Sequence, residues 1–173
     1  MKITESHEVY ACKLFQVTED KAADPKTGFA INRSVVRHAG SAVMLAMDEK
    51  KRILLVRQYR LPARQYLWEL PAGTVDPGEK PLQTARRELV EETGLRAKRI
   101  QKLAEFYPSP GFLTEKMTIY LATDLTQGEA KPMDDERIET KWFQAKDIDK
   151  MIRDGKILDA KTNIGFLRWK RYF

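Results

Sequence analysis

GTVDPGEKPLQTARRELVEETGL, residues 73–95, decides how the rest of the chain is read. It opens with a loop carrying Gly73, Asp76, Pro77 and Gly78. Pro81 suits the first turn of a helix, where its missing N–H would have had no partner. Gly94 suits the position just past a helix end, where a left-handed backbone is usual. Between them Leu82, Ala85 and Leu89 stand at i, i+3 and i+7 and make one apolar stripe. The spacing predicts a helix between Pro81 and Gly94.

Beside that stripe sit Glu88 and Glu92, one turn apart, with Glu91 next to them. Like charges at i, i+4 weaken a helix. Arg87 reaches Glu91 at i+4, but no cation of the helix is expected to serve Glu88 and Glu92. Oxygen-only, densely anionic clusters are what Mg²⁺ or Mn²⁺ prefers. A charge run alone is usually a solvated face. Here the pattern extends beyond the helix. Gly73, Glu79, Arg87, Glu88, Leu89, Glu91, Glu92, Gly94 and Leu95 fit G-x5-E-x7-R-E-U-x-E-E-x-G-U, where U is a bulky apolar residue. On these residues the chain resembles the Nudix hydrolases, with no departure at any fixed position.

Length and composition narrow the remaining choices. A chain of 173 residues favours one domain with a small appendage and is long enough to bury a core. Hydrophobic content of 42% and charged content of 32% are those of an ordinary globular protein. No run of 18 apolar residues is present, so no membrane span is expected. The start, MKITESHEVYACK, is unlike a secretory signal, and Cys12 is the single cysteine, so a cytoplasmic home is expected. The net charge of +6 is scattered, with local density in Arg52, Arg57, Arg60 and Arg64 and in Arg168, Lys170 and Arg171. That distribution suits a small phosphate-bearing substrate better than nucleic acid or a membrane.

Taken in order, residues 8–19 read as a strand, 24–28 as a turn and 29–37 as a second strand, together an N-terminal hairpin. Two strands alone are marginal, so the hairpin has to pack on something. Ser41–Met47 and Arg52–Arg60 carry continuous apolar runs typical of buried strands. A short strand is expected over 66–71, further strands over 99–106, 116–123 and 139–144, and helices over 145–153 and 161–172. The segment 107–115 is irregular, because its prolines and glycine break both periodicities, and 124–136 reads as a polar loop. There is no internal repeat. The pattern argues an α/β class. The resemblance sharpens it to an α/β/α sandwich with a mixed β-sheet over 39–173, with residues 1–38 as a β extension.

The resemblance also implies a chemistry. The family hydrolyses pyrophosphates of nucleoside diphosphates linked to another group, with Mg²⁺, for which Mn²⁺ substitutes. It implies Glu88 and Glu92 as primary metal ligands, Glu91 as a further one and the carbonyl of Ala72 as another. Glu79 orients the site, and Arg87 is the structural partner of a carboxylate. Further features resemble the ADP-ribose pyrophosphatase branch. Pro110 stands sixteen residues after Gly94, Glu115 follows it, and a β extension precedes the core. In that branch the base lies on an acidic loop, matching Glu136 first and Asp135 second, with Glu91 as the fallback. The branch also implies a homodimer with a swapped extension and aromatic contacts to the adenine, for which Phe15 and Tyr10 are weak candidates with core packing the favoured role, and it implies Arg60, ahead of Arg57, on a phosphate. The rivals are a hydrolase of another nucleotide sugar, such as ADP-glucose or GDP-mannose, a non-catalytic nucleotide-sugar sensor, and an RNA-decapping enzyme.

Overall fold

The computed structural model describes residues 1–130 and 137–173, and the chain divides into two compact units. One unit comprises Met1–Gly40 and Phe106–Lys116. Its strands β1 (Lys2–Ala11), β2 (Gln16–Ala23) and β3 (Ala30–Arg37) form an antiparallel sheet in the order β1-β2-β3. The single strand expected over 8–19 is instead broken. Cys12 N–H donates to the Phe15 carbonyl (2.9 Å), closing a tight turn, so residues on either side pair with each other. The extension is therefore three-stranded rather than a two-stranded hairpin. A mixed face pattern over 8–19 was the sign of that turn, since the alternation changes phase across it. All ten residues of β1 are exposed. Segment 107–115 is irregular and joins this unit through a parallel bridge between Val36 and Leu113.

The other unit, Ser41–Glu105 with Met117–Phe173, holds the core. Its elements are β4 (Ser41–Ala46), β5 (Arg52–Arg60), β6 (Gln65–Glu69), β7 (Ala72–Thr74), α1 (Pro81–Thr93), β8 (Leu95–Phe106), β9 (Met117–Gln127), β10 (Glu139–Gln144), α2 (Ala145–Arg153) and α3 (Ala160–Tyr172). A mixed sheet runs β7-β4-β9-β8, with β4 parallel to β9 and antiparallel to β7. A second sheet runs β10-β5-β6, antiparallel throughout. The strand expected over 66–71 ends at Glu69 as β6, and β7 follows as a separate short strand from Ala72 that was not expected. The polar loop expected from Asp124 starts later, because β9 continues to Gln127, and β8 starts at Leu95 without an intervening loop.

Strand β4 is buried along its length because both of its faces are covered, as a central strand with a parallel neighbour requires. Ala42, Met44 and Ala46 pack with Ala85 and Leu89 of α1. The two-residue period sends Val43 and Leu45 to the other face, where α3 lies. The helix α1 is thus pinned by Thr84, Ala85, Leu89, Glu92 and Thr93, all buried. Leu82 departs from the expected stripe, at 37% exposure against 1% for Leu89. It sits in the first turn of the helix, ahead of the first buried residue, Thr84. Among the described residues no helix is long and apolar enough to cross a membrane.

These exposures separate two leucines of one helix. Leu89→Ala is expected to cost about 2–5 kcal/mol of stability, the usual range for a truncated core leucine. Leu82→Ala should stay under about 1 kcal/mol. Chemical denaturation of both variants measures the difference, and equal losses would show the helix docked on another face.

Candidate active site

The site is built on α1 and the strand beside it. Lys80 N–H donates to Gln83 Oε1 (2.8 Å) and Pro81 opens the first turn. At the other end Gly94 is left-handed (φ 72°) and its N–H donates to the Val90 carbonyl (2.8 Å). A Cβ there would lie 2.6 Å from the Gly128 carbonyl oxygen, so only glycine fits. The helix is capped at both ends and its buried face is fixed. The carboxylates therefore project from a rigid support.

Arg87 is the hub of that face. Its Nε and Nη2 donate to Glu79 Oε1 and Oε2 (both 3.1 Å). Its Nη1 donates to Glu88 Oε1 (2.7 Å) and Glu91 Oε2 (3.0 Å). Nη2 also lies 3.2 Å from Asp76 Oδ2. The expectation that no cation of the helix serves Glu88 is corrected here. The guanidinium is wide enough to bridge its own neighbour and the residue one turn on. Glu79 also accepts from Thr84 Oγ1 (2.6 Å). The hydrogen bonds from Arg87 and Thr84 bring its carboxyl down to about 2. Arg87 in turn is held protonated above its ordinary range, chiefly by the bond to Glu79.

Gly73 of β7 lets the backbone approach Glu88. A Cβ at Gly73 would lie 1.9 Å from Glu88 Oε1, so any side chain there would displace the carboxylate. Ala72, whose carbonyl the resemblance implies as a ligand, is the adjoining residue of the same strand. Among the described residues no three His, Cys, Asp or Glu side chains form a ready-made metal cluster. The donor chemistry nonetheless suits a hard divalent cation, since the groups are oxygen-only and anionic. The cradle where Gly73 faces Glu88 agrees with such an ion more closely than a solvated surface would.

The remaining expected residues are distributed as follows. Glu92 is buried (5% exposed) on α1, and its charge acts on Arg60. Arg60, at the end of β5, donates from Nε and Nη2 to Glu69 Oε1 and Oε2 (both 2.8 Å). Arg57 is stacked over Tyr66 (5.1 Å) and Trp68 (5.9 Å) and lies 3.4 Å from Glu139. Phe15 and Glu115 belong to the N-terminal unit. There Phe15 rests against Tyr10 (6.1 Å between rings) and Glu115 lies 3.8 Å from His38. Asp135 and Glu136 lie outside the described residues. Sequence reasoning missed Glu69, Lys161 and Asp159, which form a charged cluster with Arg60. The clue was Glu69 in YLWELP, a lone acid inside an apolar strand.

Comparison with known proteins gives the family of the chain. The family model described as the NUDIX domain matches residues 36–162, and the chain belongs to that family. An ADP-ribose pyrophosphatase of Bacillus subtilis (strain 168) is 34% identical over 163 residues, covering 93% of this chain and 88% of the relative. A GDP-mannose pyrophosphatase of Yersinia pestis (strain Pestoides F) is 33% identical over 160 residues, covering 87% of this chain and 80% of the relative. A solved structure described as an ADP compounds hydrolase matches with a TM-score of 0.83 at 20% identity, over 99% of this chain and 94% of that one, which shows the shared fold.

The approach of Gly73 to Glu88 gives a direct check. If Glu88 serves the reaction as the resemblance implies, Gly73→Ala is expected to cut kcat at least about a hundredfold by displacing its carboxylate. The folded state should survive, since the clash is with a side chain. A variant with near-normal turnover would show that Glu88 is free to move without loss.

Proposed function

We propose that the protein hydrolyses the pyrophosphate of ADP-ribose to AMP and ribose 5-phosphate with Mg²⁺, Mn²⁺ serving as a substitute. The observation that carries this reading is the gathering of Glu79, Glu88 and Glu91 around one guanidinium, with buried Glu92 on the same helix. Glu88 and Glu92, with Glu91 and the Ala72 carbonyl, would hold the metal. When bound, the metal neutralises phosphate oxygens and lowers the pKa of a water. Glu79 and Arg87 orient the carboxylates. The proton of the attacking water goes to Glu136, or to Asp135 beside it, with Glu91 third in line. Water then joins one phosphorus, and the bridging oxygen leaves with the other phosphate.

The relative acting on ADP-ribose covers more of both chains than the one acting on GDP-mannose, and Pro110 keeps the spacing of the ADP-ribose branch. The GDP-mannose relative makes hydrolysis of that nucleotide sugar the second reading. A panel of nucleotide sugars with Mg²⁺, with products resolved by chromatography, separates them. ADP-ribose should be the fastest substrate, EDTA should abolish turnover, and Glu92→Gln should lower kcat at least about a hundredfold. Turnover in excess EDTA would remove the metal from the mechanism. Faster release of GMP from GDP-mannose would install the second reading.

The protein is further proposed to act as a homodimer in the cytoplasm on a small molecule, without nucleic acid or membrane. Support for the dimer lies in β1, where Ile3, Val9 and Tyr10 are 61%, 52% and 55% exposed. Such a sheet gains most by meeting a second copy. Light scattering at micromolar concentration should give twice the chain mass, and deletion of residues 1–38 should give monomer or insoluble protein. A wild-type monomer would count against the dimer.

A further inference from the structure

Between β5, β6 and α3 lies a buried charged cluster that the mechanism above does not use. Glu69, 1% exposed at the end of β6, is its centre. It takes both bonds from Arg60 on one side and is paired with Lys161 Nζ of α3 on the other. Lys161 also donates to Asp159 Oδ1 (2.9 Å). Asp159 caps α3, accepting from Thr162 N–H (3.0 Å), while Thr162 Oγ1 accepts from Leu70 N–H (2.8 Å). Burial alone would push the Glu69 carboxyl up. The hydrogen bonds of Arg60 and the charge of Lys161 outweigh it, and the net direction is down.

Within this cluster the members differ in exposure. The side chains of Glu69 and Lys161 are 2% and 8% exposed, whereas Arg60 is 39% exposed. With Asp159 also on Lys161, Arg60 completes a balance of two cations against two carboxylates, and such buried networks are seldom a net gain over apolar residues. Arg60 adds an outward-facing cation held by one edge of its fork, Nε and Nη2. Among the described residues its Nη1 makes no hydrogen bond. The charge of Glu92 acts on it as well. A guanidinium locked on one edge and open on the other loses little entropy when it meets an anion.

We propose that Glu69 and Lys161 are positioning residues, which hold Arg60 by one edge so that its other edge meets a phosphate oxygen of the substrate. The inference rests on the reading of this site as a nucleotide-sugar pyrophosphatase. Lys161 fixes Glu69, Glu69 fixes Arg60, and neither touches the substrate. Asp159 and Thr162 anchor the helix from which Lys161 reaches in.

A double-mutant cycle tests this. The binding of ADP-ribose to protein in EDTA is measured by calorimetry, alongside melting temperature and the KM and kcat with Mg²⁺. Glu69→Gln should weaken binding about tenfold, the scale of one charge-assisted hydrogen bond. KM should rise in parallel and kcat should change less. In an Arg60→Met background Glu69→Gln should add less than about twofold, because its effect passes through Arg60. Lys161→Met should behave like a weaker Glu69→Gln in the same cycle, and it takes the place of that variant if Glu69→Gln does not fold. A lower melting temperature with unchanged binding would make the cluster purely structural and overturn the proposal. So would a full, independent loss in the Arg60→Met background. If the wild-type protein neither binds nor hydrolyses ADP-ribose, the substrate assignment fails instead. The cycle run with GDP-mannose then decides the inference by the same criteria.

Discussion

Four carboxylates, those of Asp76, Glu79, Glu88 and Glu91, converge on the guanidinium of Arg87, and the candidate site depends on that convergence. Without a cation these groups repel each other. With one, each acquires a defined position. Lysine would not serve, because a single ammonium has no planar fork with which to take both oxygens of Glu79 and still reach two more residues. The same contacts hold the loop before the helix, since Asp76 and Glu79 precede Pro81 in the chain.

The helix keeps this anionic face because packing outweighs repulsion. Like charges one turn apart cost about 0.2–0.5 kcal/mol. Burying one leucine against a sheet returns roughly 1.5–3 kcal/mol. Leu89, with Ala85 beside it, rests on Ala42, Met44 and Ala46 of β4 and holds α1 where it is. Burial also draws Glu92 in with the apolar residues, next to them on the helix circumference. Glu92 is thereby given a rigid setting by the core.

Two charged clusters therefore differ in kind. The Arg87 cluster is partly solvated, with Glu91 at 41% and Asp76 at 63% side-chain exposure, so its groups remain within reach of an ion or a substrate. The Glu69 cluster is shut in between β6 and the start of α3, and only Arg60 reaches outward. In low dielectric each charge requires its partner, which makes the inner cluster stiff.

The sequence by itself determined the helix from Pro81 to Thr93, its ends, the carboxylate set and the family. Each of these is written in local spacing, and Pro81 and Gly94 act through backbone sterics that need no neighbours. The buried strands β4 and β5 were legible for the same reason, as uninterrupted apolar runs. The break at Cys12–Phe15 was not, because a tight turn without glycine or proline leaves only a change of phase. Tertiary structure alone decided that Leu82 faces solvent, that Arg87 serves Glu88, and that Glu69, Lys161 and Arg60 share one cluster. Glu69 and Lys161 are 92 residues apart in the chain, and no periodicity relates them. Long-range pairs of this sort follow from how the sheet and α3 pack, since a buried charge takes whichever partner the fold brings to it.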